Sequence, residues 1–373
     1  MDRRRFLSAL GLGAGAVALG GCSSDNNVAA PSVEGSEGVG RGQRYDWRMV
    51  TTWPKNYPGL GTGANRFAER VKQMSGGRIN IRVFGAQELV PASEVFDAVR
   101  QGGAQLGHGA SYYWQGKHPA APFFTSVPFG MTAGETNSWL HHGDGQALWD
   151  ELYAPFGLKP FAVGNTGSQM AGWFNKEING VADLRGLNFR MPGLGGDVMA
   201  RVGAVPVQMP GSEVFNAMQT GALDAAEWVG PYNDMSFGMH RVAKYYYYPG
   251  WQEPCGTMEL IINKSLWDEL PEDLQAILAI AAQAENQQVH DEFVARNGQA
   301  LKALVDDHGV QLKRLPEDVL AALKAASDQV IAQRVAGNAM AETIYKSYQQ
   351  FRDTVLPWQA VGEQAFMSLR DSL

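Results

Sequence analysis

The sequence has little cysteine, no basic run beyond its first few positions, and no apolar stretch long enough to cross a membrane. Each shortage removes a class of protein. Two cysteines, Cys22 and Cys255, cannot build a disulfide framework, so stability has to come from a hydrophobic core. The sequence contains no HExxH, CxxC or GxSxG pattern, and haem, iron-sulfur and nicotinamide fingerprints are missing too. Ser168, within GNTGSQMAG, lacks the spacing of a nucleophile elbow. Lys and Arg number 31 against 38 Asp and Glu, and this acidic balance argues against nucleic acid as a partner. The 7 histidines are scattered, and the adjacent pair His141-His142 falls in a predicted helix, where neighbours point to different faces.

The first residues carry an export signal. Arg3-Arg4-Arg5-Phe6-Leu7 is followed by an uncharged stretch from Ser8 to Gly21, a twin-arginine pattern of the Tat type whose apolar part is too short to span a bilayer. Leu19-Gly20-Gly21-Cys22 is similar to a bacterial lipobox, so residues 1–22 are expected to be a lipoprotein signal, with the Cys22 thiol as the lipid acceptor. Residues 23–44, rich in Ser, Gly, Asn and Val, read as a flexible tether. Loss of three arginines and one aspartate with the signal takes the net charge from −7 to about −9.

About 330 residues remain, enough for two lobes. Tyr45 to Trp53 reads as a strand ending in a Pro/Gly loop, Ala64 to Met74 as a helix stopped by Gly76-Gly77, and Ile79 to Phe84 as a second strand. This alternation predicts a largely parallel sheet. An internal echo follows: PASEVFDAVRQG (residues 91–102) and PGSEVFNAMQTG (residues 210–221) each start a helix and lead to a strand, near Gln105 to Ala110 and Ala222 to Val229. Ligands of open parallel sheets sit beyond the carboxyl ends of strands. The stretches to inspect are therefore His108 with Ser111 to Trp114, and Glu227 to Tyr232. In the C-terminal third, Ser265 with Asp268 suggests a capping box and Pro271 a first helical position. Helical spacing then runs from Leu274 to Leu304, Val319 to Val335 and Ala339 to Val355, ending before Pro357. Expected boundaries are lobe I at 45–164, completed by part of 256–310, lobe II at 165–255, and bracing and C-terminal helices at 256–373.

Isolated polar residues among aromatics carry what chemistry there is. Arg190 falls near the end of the alternating run Leu187 to Gly193, just before a Pro-Gly-Leu-Gly-Gly loop, where a guanidinium could grip a carboxylate or pair with a neighbouring acid. Glu227, at the end of an apolar strand, and Glu253, in Trp-Gln-Glu-Pro, each need a cation or donor, and either could be a structural salt bridge.

Taken together, the twin-Arg start, VTTWPKN, the Leu187 to Gly193 strand, GALDAAEWVGPYND, YYYYPGWQEP and LPEDLQ resemble the TRAP transporter solute-binding family, in its branch for 2-oxo acids and lactate. The likeness covers nearly all of the chain after the signal. It implies a two-lobed α/β periplasmic-binding-protein fold with hinge-linked lobes and a helical C-terminal region. It also implies a periplasmic, lipid-anchored binder that hands a small carboxylate to TRAP membrane subunits and pairs as a homodimer through its C-terminal helices. By resemblance Arg190 takes the substrate carboxylate, while Gln169, Glu227 and the main-chain carbonyl of Trp228 hold a metal cation that also touches the substrate. Tyr112 and Glu253 complete the pocket. A substrate carboxylate and Glu227 are neutralised by Arg190 and one sodium; an ionised Glu253 in the same site shifts the count toward calcium. The rival readings are an exported enzyme acting on a hydroxy or oxo acid, which the missing cofactor motifs disfavour, and a sensory binding protein using the same cleft.

Overall fold

The computed structural model describes residues 42–373, apart from Gln208, Pro210 and the side chain of Ser212. The export signal, Cys22 and nearly all of the tether lie outside the described residues. Walking the chain, the first elements are β1 (Tyr45–Thr51), α1 (Gly61–Met74), β2 (Ile79–Phe84), α2 (Val95–Arg100), β3 (Leu106–Gly109), α3 (Ala133–His142), α4 (Gly145–Tyr153) and β4 (Leu158–Asn165). The chain then builds β5 (Gly172–Phe174), β6 (Asn188–Arg190), α5 (Gly193–Arg201), β7 (Val205–Val207), α6 (Gly211–Thr220), β8 (Ala225–Ala226), α7 (Pro231–Phe237) and β9 (Tyr245–Tyr248). It closes with β10 (Thr257–Asn263), α8 (Lys264–Asp268), α9 (Glu272–Asp306), β11 (Gln311–Arg314), α10 (Glu317–Val335), α11 (Ala339–Val361) and α12 (Glu363–Ser372).

Two sheets result, in the orders β2-β1-β3-β10-β4 and β11-β9-β5-β8-β6-β7. They are mixed rather than largely parallel, which corrects the expectation from alternating helices and strands. The cause is the chain crossing between sheets. After β4 it leaves the first sheet, builds most of the second, and returns as β10, which enters between β3 and β4 antiparallel to both. Likewise β5, the first strand after that crossing, runs antiparallel to β8 and β9. The echoed segments occupy comparable places: α2 leads to β3 in one sheet and α6 to β8 in the other.

The long helix α9 rises about 52 Å at 1.5 Å per residue, enough to pass along both sheets. Its Leu274, Leu278, Ala281 and Ala282 join Phe67 and Val71 of α1 and Leu260 of β10 in one core, and its Leu304 packs with Trp173 and Tyr246 in another. Between them Val289 and Phe293 share a cluster with Trp53, Leu60, Val229 and Met258, where loops of the two sheets meet. Glu285 of α9 is fully buried and sits between Arg66 and Arg70 of α1, at 2.9 and 3.1 Å. Such a pair costs desolvation but fixes helix register, because an unpaired buried carboxylate would cost more.

Helix ends differ from the sequence expectation in three places. Asn263, not Ser265, caps α8, its side chain accepting from the Leu266 N–H. Pro271 is the N-cap of α9 rather than its first residue. Helix α11 continues through Pro357 to Val361, and α12, which no periodicity indicated, follows. A proline in a helix leaves one carbonyl without its N–H partner. Here the turn is exposed, so water can satisfy it; Leu356, Trp358 and Val361 are 44%, 67% and 73% exposed.

Candidate functional site

The carboxyl ends of β6 and β8 lie side by side, because Arg190 pairs in parallel register with Ala226. The next residue, Glu227, donates its main-chain N–H to the Arg190 carbonyl at 2.9 Å. In return Arg190 Nη1 donates to the Glu227 carbonyl oxygen at 2.6 Å and approaches its Oε2 at 3.4 Å. Both side chains are buried. The guanidinium also lies 5.3 Å from the centre of the Trp228 ring, a cation-π contact, and that indole stacks on Phe237 at 4.8 Å. Glycine at 211 makes this possible, since a Cβ there would collide with the indole. Among the described residues, every side-chain hydrogen bond of Arg190 runs through Nη1, so Nε and Nη2 form the edge left for a planar oxyanion.

The second half of the site comes from the two segments that cross between sheets. Gln169 lies between β4 and β5, and Glu253 between β9 and β10. The crossings pair with each other: Thr166 N–H donates to the Gly256 carbonyl at 3.0 Å, and Gln169 N–H donates to the Glu253 carbonyl at 3.0 Å. Their side chains repeat the link, as Gln169 Nε2 donates to Glu253 Oε2 at 2.7 Å and to Thr166 Oγ1 at 3.0 Å. A Cβ on Gly256 would lie 2.6 Å from both Gln169 Nε2 and Thr166 Oγ1, so this packing requires glycine. The same crossing reaches the strand ends, for Met170 N–H donates to the Val229 carbonyl at 3.1 Å.

Two buried oxygens in this cluster have no partner, Gln169 Oε1 and Glu227 Oε1. Unpaired buried acceptors cost about 1–3 kcal/mol each, so their presence together indicates a site built for a positively charged or donor group. Among the described residues no group of three or more His, Cys, Asp or Glu gathers anywhere. A cation held here would therefore meet amide, carbonyl and single-carboxylate oxygens, a donor set suited to hard ions such as sodium or calcium rather than to zinc. Electrostatics agree. Burial raises the Glu227 carboxyl well above its usual range and the charge of Glu253 raises it further, while Arg190 opposes both. Glu253 is pushed up to about 8 by burial, again against the pull of Arg190. One fixed cation thus faces two buried acids.

Tyr112 stands over this cluster, against the backbone of Gly193 at the start of α5, where a Cβ would lie 3.3 Å from its ring and Cβ. Burial and the charges of Glu253 and Glu227 push its phenol up, so it is a neutral hydrogen-bonding group. Arg190, Gln169, Tyr112, Glu227, Trp228 and Glu253 therefore come together. His108, expected just beyond its strand, lies within β3 and does not join them. It is buried against Trp53, whose Nε1 donates to its Nδ1 at 2.8 Å, and burial lowers it to about 3. Two residues were missed by sequence reasoning. Asp234 accepts from Trp173 Nε1, Tyr246 OH and the N–H groups of Val229 and Gly230, and so fixes the loop after Trp228. Tyr57 accepts from Trp228 Nε1 at 2.8 Å. Both lie inside motifs noted above, GPYND and the loop after VTTWPKN, yet only their partners distinguish them.

Residues 49–338 match the family described as bacterial extracellular solute-binding protein, family 7. A monocarboxylate 2-oxoacid-binding periplasmic protein of Nostoc sp. is 39% identical over 378 residues, covering 100% of both chains. Among solved structures, a TRAP periplasmic solute-binding protein of Pseudoalteromonas atlantica with bound sodium and pyruvate is 40% identical, with a TM-score of 0.85 over 87% of this chain and 99% of that one. A TRAP transporter solute-binding protein of Bordetella bronchiseptica is 35% identical, with a TM-score of 0.86 over 88% and 98%. It is a dimer of mixed occupancy, with copurified calcium and picolinate in one site and the other site empty.

Proposed function

We propose a function for this chain from one premise: it belongs to the bacterial extracellular solute-binding proteins of family 7. It captures a small 2-oxo monocarboxylate such as pyruvate, or its 2-hydroxy counterpart lactate, and carries it to the membrane subunits of a TRAP transporter. The observation that carries this reading is the pair of unpartnered buried oxygens, Gln169 Oε1 and Glu227 Oε1, beside a buried guanidinium with a free edge. Arg190 Nε and Nη2 grip the substrate carboxylate in bidentate fashion. Gln169 Oε1, Glu227 Oε1 and the Trp228 carbonyl are the oxygens that would hold sodium or calcium. When bound, that ion supplies the positive charge that lets a second carboxylate enter a buried site. Tyr112 and Glu253 close the pocket, and no covalent step is involved.

The two sheets act as lobes hinged at the crossings that carry Gln169 and Glu253, with α9 as the brace between them. The protein works in the periplasm, tethered through Cys22. Its C-terminal helices pair two copies, a reading supported by the exposed Trp358, Val361, Phe366 and Leu369 at 67%, 73%, 63% and 55%.

Calorimetry of pyruvate and lactate on chelator-treated protein, with sodium or calcium added back, tests the site. The acid and the cation should raise each other's affinity by the same factor. Substrate affinity indifferent to both ions would reject the cation site, and absence of binding for either acid would reject the function.

A further inference from the structure

We propose that Tyr57 is a latch between the two sheets that locks the Arg190 and Trp228 pair in place and sets how long a ligand is retained. The proposal rests on the reading of this cluster as a carboxylate clamp. Tyr57 stands in the loop between β1 and α1, on the side of the first sheet, and its hydroxyl meets two groups of the second. Trp228 Nε1 donates to it at 2.8 Å, and it donates in turn to the Asn233 carbonyl at 3.0 Å. The hydroxyl is thus used as acceptor and donor at once, with both bonds directed across the gap. The Tyr57 and Trp228 rings meet edge to face with centroids 6.1 Å apart. Beside them Asn233 Nδ2, on α7, donates to the Pro58 carbonyl at 2.8 Å, a second strut from the same β1–α1 loop.

Trp228 is the pivot of this arrangement. Its ring lies over the Arg190 guanidinium, and its main-chain carbonyl is one of the oxygens assigned to the cation. Separation of the sheets must break the Tyr57 bonds, and breaking them leaves the indole that lies over the guanidinium held only from its own side, by the stack on Phe237. Bonds formed only when the lobes meet slow dissociation and leave the first encounter untouched. Tyr57 touches neither proposed ligand nor cation. It is a positioning residue.

Tyr57→Phe keeps the ring and removes both hydrogen bonds, so the variant isolates the latch. Stopped-flow fluorescence with pyruvate and sodium should show dissociation faster by about tenfold, as expected for two modest hydrogen bonds, with association within about twofold of the wild type. Small-angle scattering at saturating pyruvate should show a larger mean radius for the variant than for the wild type, which a purely local structural role would not produce. A dissociation rate equal to the wild type would overturn the latch while leaving the clamp standing. Failure of the wild-type protein to bind pyruvate would overturn the clamp, and the latch with it.

Discussion

Replacing Arg190 by Met is the perturbation that bears hardest on the site, because the guanidinium is tied to Glu227 before any ligand arrives. Arg190 Nη1 serves both the Glu227 carbonyl, at 2.6 Å, and its carboxylate, at 3.4 Å, with both side chains almost wholly out of water. Removing one member of a buried pair costs about 3–5 kcal/mol, since the other is left desolvated. Glu227 has an escape: its carboxyl already sits well above the usual range, so it can take up a proton. Arg190→Met should therefore fall near the lower end, about 3 kcal/mol. Glu227→Gln keeps the shape and the carbonyl acceptor and should cost less. The double variant should be more stable than the sum of the two losses by at least about 1 kcal/mol, because it removes both charges. Urea unfolding of the four proteins measures this cycle. A loss below about 1 kcal/mol for Arg190→Met, or losses that simply add, would refute the buried-pair argument. Binding supplies a second readout: pyruvate at a hundredfold excess over its dissociation constant stabilises the wild type by about 2.7 kcal/mol, and this gain should vanish in Arg190→Met.

Four further outcomes are expected. His108, lowered to about 3 by burial, refuses a proton that the unfolded chain accepts below pH 6.5. Stability should therefore fall as pH drops through that window, by up to about 1.4 kcal/mol per pH unit from this group, and His108→Gln should flatten that part of a pH series of urea midpoints. Glu253→Gln removes one of two acids facing the cation and should shift preference from calcium toward sodium, read by competition calorimetry. Truncation after Val355 should leave a monomer in light scattering if the exposed apolar residues of α11 and α12 pair two copies. Cys22→Ala should release the protein from membranes into the soluble periplasmic fraction, and a wild-type protein already wholly soluble would contradict the anchor.

Much of the site could be read in advance because it sits where strand periodicity ends. Arg190 is the last residue of β6 and Glu227 the first after β8, and the register that pairs Arg190 with Ala226 brings the two strand ends together. Gln169 and Glu253 carried no such signal: both lie in irregular crossing segments, and their 2.7 Å contact joins residues 84 apart in sequence. Glycine and proline near them mark turns but not what the turns enclose. The same limit explains Pro357, read as a helix end although α11 passes through it, because local rules price the lost hydrogen bond but not the solvent that replaces it.

What the sequence determined by itself were properties of local pattern. These were the alternation that makes strands and helices, the echo that makes two similar αβ units, the acidic charge, and polar residues at the ends of apolar strands. Strand direction within each sheet was decided only in three dimensions, since β10 runs antiparallel in the first sheet because the chain reaches it from the second. So were the roles of Asp234 and Tyr57. A carboxylate holding four donors and a hydroxyl bridging two sheets differ from ordinary loop residues only through their partners, and those partners are brought close by packing that no short stretch of sequence encodes.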